Sequence, residues 1–130
     1  MRRQSREISL QVLFQLEFTP QLNMTQFLDL FEQTFDRDTL DYAQKLLQGV
    51  RNNMEKIDEM IQAVSQHWKI SRMAIIDRNI LGQAIFEIRL SDEMIHPSIV
   101  INESIELAKK YGTTDSSSFI NGILDQIAKG

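Results

Sequence analysis

Apolar positions recur along this chain at steps of three and four almost from end to end, and no stretch alternates apolar with polar for long. That period belongs to helices rather than strands. Between Arg3 and Phe18 the apolar residues Ile8, Leu10, Val12, Leu13, Phe14, Leu16 and Phe18 point nearly all round a helix. A single polar line interrupts them: Gln4, Glu7, Gln11 and Gln15. A helix of this kind belongs in the middle of a fold, with one narrow stripe left open. It must end before Pro20, because the residue preceding a proline is pushed out of the helical region.

A second helix is predicted from Thr25 as N-cap, with Met24, Phe27, Leu28, Phe31 and Phe35 on one face. The third is long. Asp38 is its expected cap, and Ala43, Leu46, Leu47, Val50, Met54, Ile57, Ile61 and Val64 keep the spacing to about Ser65, across Gly49. HWKISRMAIIDRN reads as a connector with one short helical turn after Ser71. Asp77 is then expected to cap a helix running to about Leu90, with Ile80, Leu81, Ala84, Ile85 and Ile88 inward. SDEMIHP reads as a loop closed by Pro97, followed by a helix from about Ser98 to Tyr111. Gly112 stands where a left-handed residue commonly ends a helix. Asp115 should cap the last helix, whose inner face is Phe119, Ile120, Ile123, Leu124 and Ile127. The prediction is all-α: six or seven helices joined by short loops, packed helix on helix as one domain over 1–130.

Composition narrows the function. A chain of 130 residues can bury a sizeable core unaided, and the absence of cysteine removes disulfides, thiolate metal sites and thiol nucleophiles. No segment approaches the ~20 continuous apolar residues that cross a bilayer, and the N-terminus lacks a secretory pattern, so a cytoplasmic location is expected. The net charge of -4 argues against a surface that coats nucleic acid indiscriminately, but not against a local basic site.

Enzymatic chemistry finds little support. His67 and His96 sit in a connector and beside a proline, with no nucleophile patterned near either. Asp36, Asp38 and Asp41 lack the glycine and terminal glutamate of a calcium loop. Gly49, Gly82, Gly112 and Gly122 form no phosphate-cradling turn. The residues call for no catalytic group, no metal and no cofactor.

The arginines are the better signal. Arg2, Arg3 and Arg6 crowd the first turn of the first helix, where the backbone already carries partial positive charge. One reading is a solvated terminus. The other is a surface for external anions, with the arginines left uncompensated inside the chain and answered by phosphate, and with the amides of the adjoining Gln4, Glu7, Gln11 and Gln15 line offered to base edges. A second candidate lies in KKYGTTDSSSFINGILDQI, where Asp115 and Ser116 precede a helix and Phe119 falls in its first turn. Phe119 reads either as core packing or as a base-stacking platform.

Two segments carry a resemblance. RRQSREISLQVLFQ and INESIELAKKYGTTDSSSFINGILDQI, with LLQGVRNN and IIDRNILGQAIFEI between them, resemble the bacterial NusB family of transcription antitermination factors along essentially the whole chain. The resemblance implies two small packed helix bundles. It implies binding of boxA-type single-stranded RNA together with NusE, a protein of the small ribosomal subunit, so that RNA polymerase resists termination while ribosomal RNA is made. It places Arg2, Arg3, Arg6, Gln11, Asp115, Ser116 and Phe119 at the RNA and favours stacking for Phe119. It places Asp77 and Phe14 toward the protein partner, on a face separate from the RNA, and leaves room for a homodimer when the chain is alone.

Gln4 and Ser118 stand where many relatives carry Arg or Lys, and Phe14 replaces a commoner tyrosine. Fewer cations imply a shallower salt dependence and a larger contribution from the partner. Two alternatives remain: a helical protein–protein adaptor without RNA, and an RNA-binding module acting with a methyltransferase, for which binding of S-adenosylmethionine is the discriminating observation.

Overall fold

The computed structural model describes residues 2–93 and 95–130. Met94, within the expected SDEMIHP loop, lies outside the described residues. Seven α-helices and no strand are found among them: α1 (Arg2–Phe18), α2 (Met24–Asp29), α3 (Arg37–Asn52), α4 (Met54–Val64), α5 (Ile75–Ile85), α6 (Pro97–Tyr111) and α7 (Ser116–Lys129). A short 3₁₀ turn, Ile70–Arg72, precedes α5, and a π-turn, Phe86–Leu90, extends it.

The helices form two small bundles. α1 lies against α3, with α2 beside them, and α4, α6 and α7 gather round α5. α5 also contacts α1 and α3, which joins the bundles into one core. Its centre holds Leu10, Leu46, Leu47, Ile61, Ile80, Leu81, Ile85, Ile120 and Leu124. Each such side chain contributes about 1.5–3 kcal/mol by leaving water. Polar bonds fix the register of α1. The Ser5 hydroxyl donates to the Thr39 carbonyl at 2.7 Å, and Gln83 Nε2 to the Arg6 carbonyl at 3.1 Å.

The polar line on α1 is open as expected: Gln4, Gln11 and Gln15 are exposed and Glu7 is half-buried. Several caps differ from expectation. Asn23, not Thr25, caps α2, its side chain accepting from the Gln26 amide. Asp36, not Asp38, caps α3 by accepting from Thr39 N at 2.8 Å. The expected helix through Ser65 is two helices, broken at Asn53, whose side chain donates to the Gly49 carbonyl at 2.7 Å. That bond satisfies an acceptor near the end of α3, so the chain can turn there without loss. Asp77 does not cap; α5 begins two residues earlier, after Ala74. α6 begins at Pro97, with His96 Nδ1 accepting from Ser98 N.

Two glycines are required by contact, not by backbone conformation. Gly112 has φ -94° and is not left-handed. A Cβ there would lie 2.6 Å from Ser116 Cβ and 2.8 Å from the Ala108 carbonyl oxygen. At Gly49 a Cβ would overlap the Phe86 ring outright. The residue that weakens α3 in isolation lets the π-turn pack against it.

Candidate nucleic-acid interface

The three arginines separate into two kinds. Arg6 turns inward. Its Nε and Nη2 donate to the two oxygens of Glu87, each at 2.7 Å, and only 5% of its side chain and 1% of Glu87's reach solvent. Burial opposes the guanidinium charge, and the Glu87 bonds outweigh it, so the Arg6 pKa is raised. Glu87 is aimed there by the π-turn, in which Ser91 N reaches back five residues to the Phe86 carbonyl at 2.7 Å. Arg2 and Arg3 stay at the surface but are also paired, Arg2 with Glu93 and Arg3 with Glu103, both at 2.6 Å. Arg2 lies over the Tyr42 ring, 4.0 Å from its centroid. Burial, with the field of Glu87, holds the Tyr42 hydroxyl well above its ordinary pKa, so it stays protonated.

Two expectations are therefore corrected. The arginines are not left without counter-charge inside the chain; carboxylates distant in sequence answer all of them. Arg6 is not on an exposed face with the other two, because its position on α1 points into the joint with the π-turn and α6. It holds the first turn of α1 in place, and Arg2 and Arg3 remain within reach of a ligand.

From Arg3 a charged groove of about 390 Å³ runs between α1 and α6, lined by Glu7, Glu103, Lys109 and Lys110 among others. Lys110 pairs with Glu7 at 2.8 Å and lies 5.4 Å from the Tyr111 ring centroid. Tyr111 also borders the next groove along α1, where Gln11, Phe14, Phe27 and Ile76 meet. Beyond it, a cleft of about 380 Å³ collects Trp68, Arg72, Asp77, Asp115, Ser116 and Phe119.

That distribution differs from the expected separation of faces. Gln11, expected at RNA, shares a groove with Phe14, expected at a protein. Asp77, expected at a protein, shares a cleft with Asp115, Ser116 and Phe119. The two depressions flank the first turn of α5, which contributes Ile76 to one and Asp77 to the other.

Within the cleft the chemistry is uneven. Ser116 is buried and structural: its hydroxyl accepts from Thr113 N at 2.9 Å. Asp115 is the N-cap residue of α7, as expected, with its carbonyl accepting from Phe119 N at 3.1 Å, but its exposed side chain makes no capping bond. Asp77 Oδ1 is buried with no hydrogen-bond partner among the described residues. Phe119 is half-buried, packed on the core at one edge and lining the cleft at another. Trp68 is 55% exposed on a pinned loop. Its carbonyl accepts from Gln62 Nε2 at 3.0 Å and Ser65 Oγ at 3.3 Å.

Trp68, Arg72, Lys109, Lys110 and Tyr111 were not anticipated. A lone tryptophan in a connector and two lysines before Tyr-Gly were the available signals. No group of three or more metal-ligating side chains is found among the described residues, and none of their helices is long and apolar enough to cross a membrane.

Comparison with known proteins assigns the lineage. The NusB family model matches residues 3–129. The chain belongs to the NusB family. It is 55% identical to the transcription antitermination protein NusB of Bdellovibrio bacteriovorus, over 98% of this chain and 95% of that protein. Identity to the NusB of Anaeromyxobacter dehalogenans is 40%, over 99% and 91%. Among solved structures, T. maritima NusB superposes with a TM-score of 0.90 at 35% identity, covering 99% of this chain and 91% of that one. A chain from a crystal structure of antitermination factors NusB and NusE in complex with dsRNA matches at 0.83 and 27% identity, over 98% and 96%. The NusB family is one of non-enzymatic factors.

Proposed function

We propose that this NusB-family chain is a bacterial, cytoplasmic RNA-binding adaptor for transcription antitermination. It takes boxA-type single-stranded RNA together with a NusE-type ribosomal protein, and the assembly helps RNA polymerase resist termination during ribosomal RNA synthesis. Arg2 and Arg3 engage phosphates, with Lys109 and Lys110 continuing the track along α6. Gln11 and Asp115 meet base edges, and Phe119 and Trp68 offer faces for stacking. Arg6 and Ser116 position these elements. Phe14 and Asp77 contact the protein partner.

One observation carries the reading: a groove of paired cations and acids from Arg3 past Lys110 and Tyr111 leads to an aromatic cleft at the start of α7, where no side chain caps the helix. Stacking faces in a cleft suit splayed bases better than a closed duplex. A relative crystallised with NusE and dsRNA favours a second reading, in which the basic track follows the backbone of a duplex.

Titration with boxA-type RNA, a scrambled strand of equal length and a duplex, each with and without the NusE-type partner, tests both. Selective single-strand binding strengthened by the partner supports the proposal. Equal binding of the duplex supports the second reading, and absent binding leaves a protein-only adaptor. Sedimentation of the free chain shows whether it self-associates when the partner is missing.

A further inference from the structure

Arg2 and Arg3 reach solvent already engaged. Arg3 donates to Glu103 twice, from Nε at 3.1 Å and Nη2 at 2.6 Å, the parallel geometry with which a guanidinium also takes two phosphate oxygens. Arg2 donates to Glu93 Oε1. Neither pair is sealed, since Arg3's side chain is 65% exposed and Arg2's 45%. Exposed pairs of this kind contribute little to folding. Each carboxylate also has a second cation in reach. Glu93 Oε2 lies 3.2 Å from Lys45 Nζ, and Glu103 Oε1 lies 3.5 Å from Arg6 Nη1.

We propose that Glu93 and Glu103 are internal competitors for RNA phosphate, which occupy Arg2 and Arg3 until an RNA that also gains base contacts displaces them. The inference rests on the RNA-binding reading above and identifies what holds down the sequence-independent affinity of that surface. The step is an exchange. A phosphate that takes Arg3 returns Glu103 to Arg6 and water, and one that takes Arg2 returns Glu93 to Lys45. The number of charge-assisted bonds hardly changes, so a phosphate by itself gains little. The released carboxylate draws in a cation as the RNA sheds one, which offsets counterion release and flattens the salt dependence. A polyanion without matching bases then binds weakly, and net affinity comes from the clefts beyond Tyr111.

The test uses the full chain carrying Glu93→Gln, Glu103→Gln or both, with Glu59→Gln, an exposed glutamate on α4, as the control for net charge. Affinities for boxA-type and scrambled single strands are measured across a salt series, with circular dichroism confirming the fold. Each substitution at 93 or 103 is expected to tighten both RNAs by ~2–5-fold and to steepen the salt slope by up to about 0.7. Glu59→Gln should change affinity less than about twofold. Glu103→Asp, which keeps the charge but shortens its reach, should give part of the gain and serves if the glutamine variant folds poorly. Gains matched by Glu59→Gln, or no gain in a folded variant, overturn the competitor role. If the wild type binds selectively and the variants gain nothing, only this inference falls. If neither wild type nor variants bind any RNA, the RNA-binding reading falls with it.

Discussion

Arg6 on α1 and Glu87 in the π-turn face each other through two parallel hydrogen bonds of 2.7 Å, in a site almost closed to water. They lie far apart in sequence, and their pairing fixes where the first turn of α1 can sit. Breaking one half of such a pair strands a charge in the core. Arg6→Ala or Glu87→Ala is expected to cost about 3–5 kcal/mol, and the double variant Arg6→Met/Glu87→Leu much less than the two singles together. Urea unfolding of the four proteins measures the difference; additive losses would contradict the pairing.

Gly49→Ala should destabilise the chain despite favouring α3 as an isolated helix by ~1 kcal/mol. The new methyl meets the Phe86 ring, and overpacking of that sort costs roughly 1–3 kcal/mol. Phe86→Leu in the same chain should recover part of the loss, as read from thermal melting.

Arg2→Ala and Arg3→Ala act at the surface, so folding should survive both. Charge-assisted bonds are worth ~1.5–3 kcal/mol, but exchange with the internal carboxylates cancels much of that, so each substitution should weaken RNA binding only by about 2–5-fold. The slope of log affinity against log salt should shrink by much less than ~0.7 per lost contact in the wild type. Beside Glu93→Gln or Glu103→Gln it should shrink by up to ~0.7, because no released carboxylate offsets counterion release. Fluorescence anisotropy over a salt series gives both numbers. Unchanged binding would remove these residues from the interface.

Trp68 is the single tryptophan of the chain, so its emission reports on the aromatic cleft alone. Titration with boxA-type RNA should quench or shift that emission. Phe119→Ala and Trp68→Ala should each weaken binding by the ~1–3 kcal/mol of a stacked base. Emission indifferent to saturating RNA would place the bases elsewhere.

Acid should loosen the Arg3–Glu103 pair. The hydrogen bond from Arg3 holds the Glu103 carboxyl below its ordinary 4.5, against the opposing effect of burial. A carboxyl with a depressed folded-state pKa adds stability above the unfolded value, and that stability is lost as pH falls through the folded value. Between pH 6 and pH 3 the urea midpoint should therefore fall less steeply in Glu103→Gln than in the wild type.

The all-helical architecture was legible because the 3.6-residue period runs through nearly every segment. Helix ends were less so. Asp36 and Asp38, or Asn23 and Thr25, are chemically equivalent candidates, and only the register of the packed helix selects between them. The break at Asn53 has no proline to announce it. The arginines of the first turn were legible as a cluster, but the inward turn of Arg6 was not, because Glu87 reaches it only through a π-turn that no periodicity reveals. Asp115 and Phe119 were visible in sequence. Their neighbours Trp68 and Arg72 come from a distant connector and join them only in the folded chain.

The first turn of α5 gives Ile76 to one depression and Asp77, the next residue, to the other. Two visitors settling on either side would touch along that divide, each shielding the other's margin from solvent. Whatever tightening one confers, the second must confer in equal measure on the first, because the order of arrival cannot alter the final state. Cooperative assembly here needs no hinge and no change of shape, only adjacency.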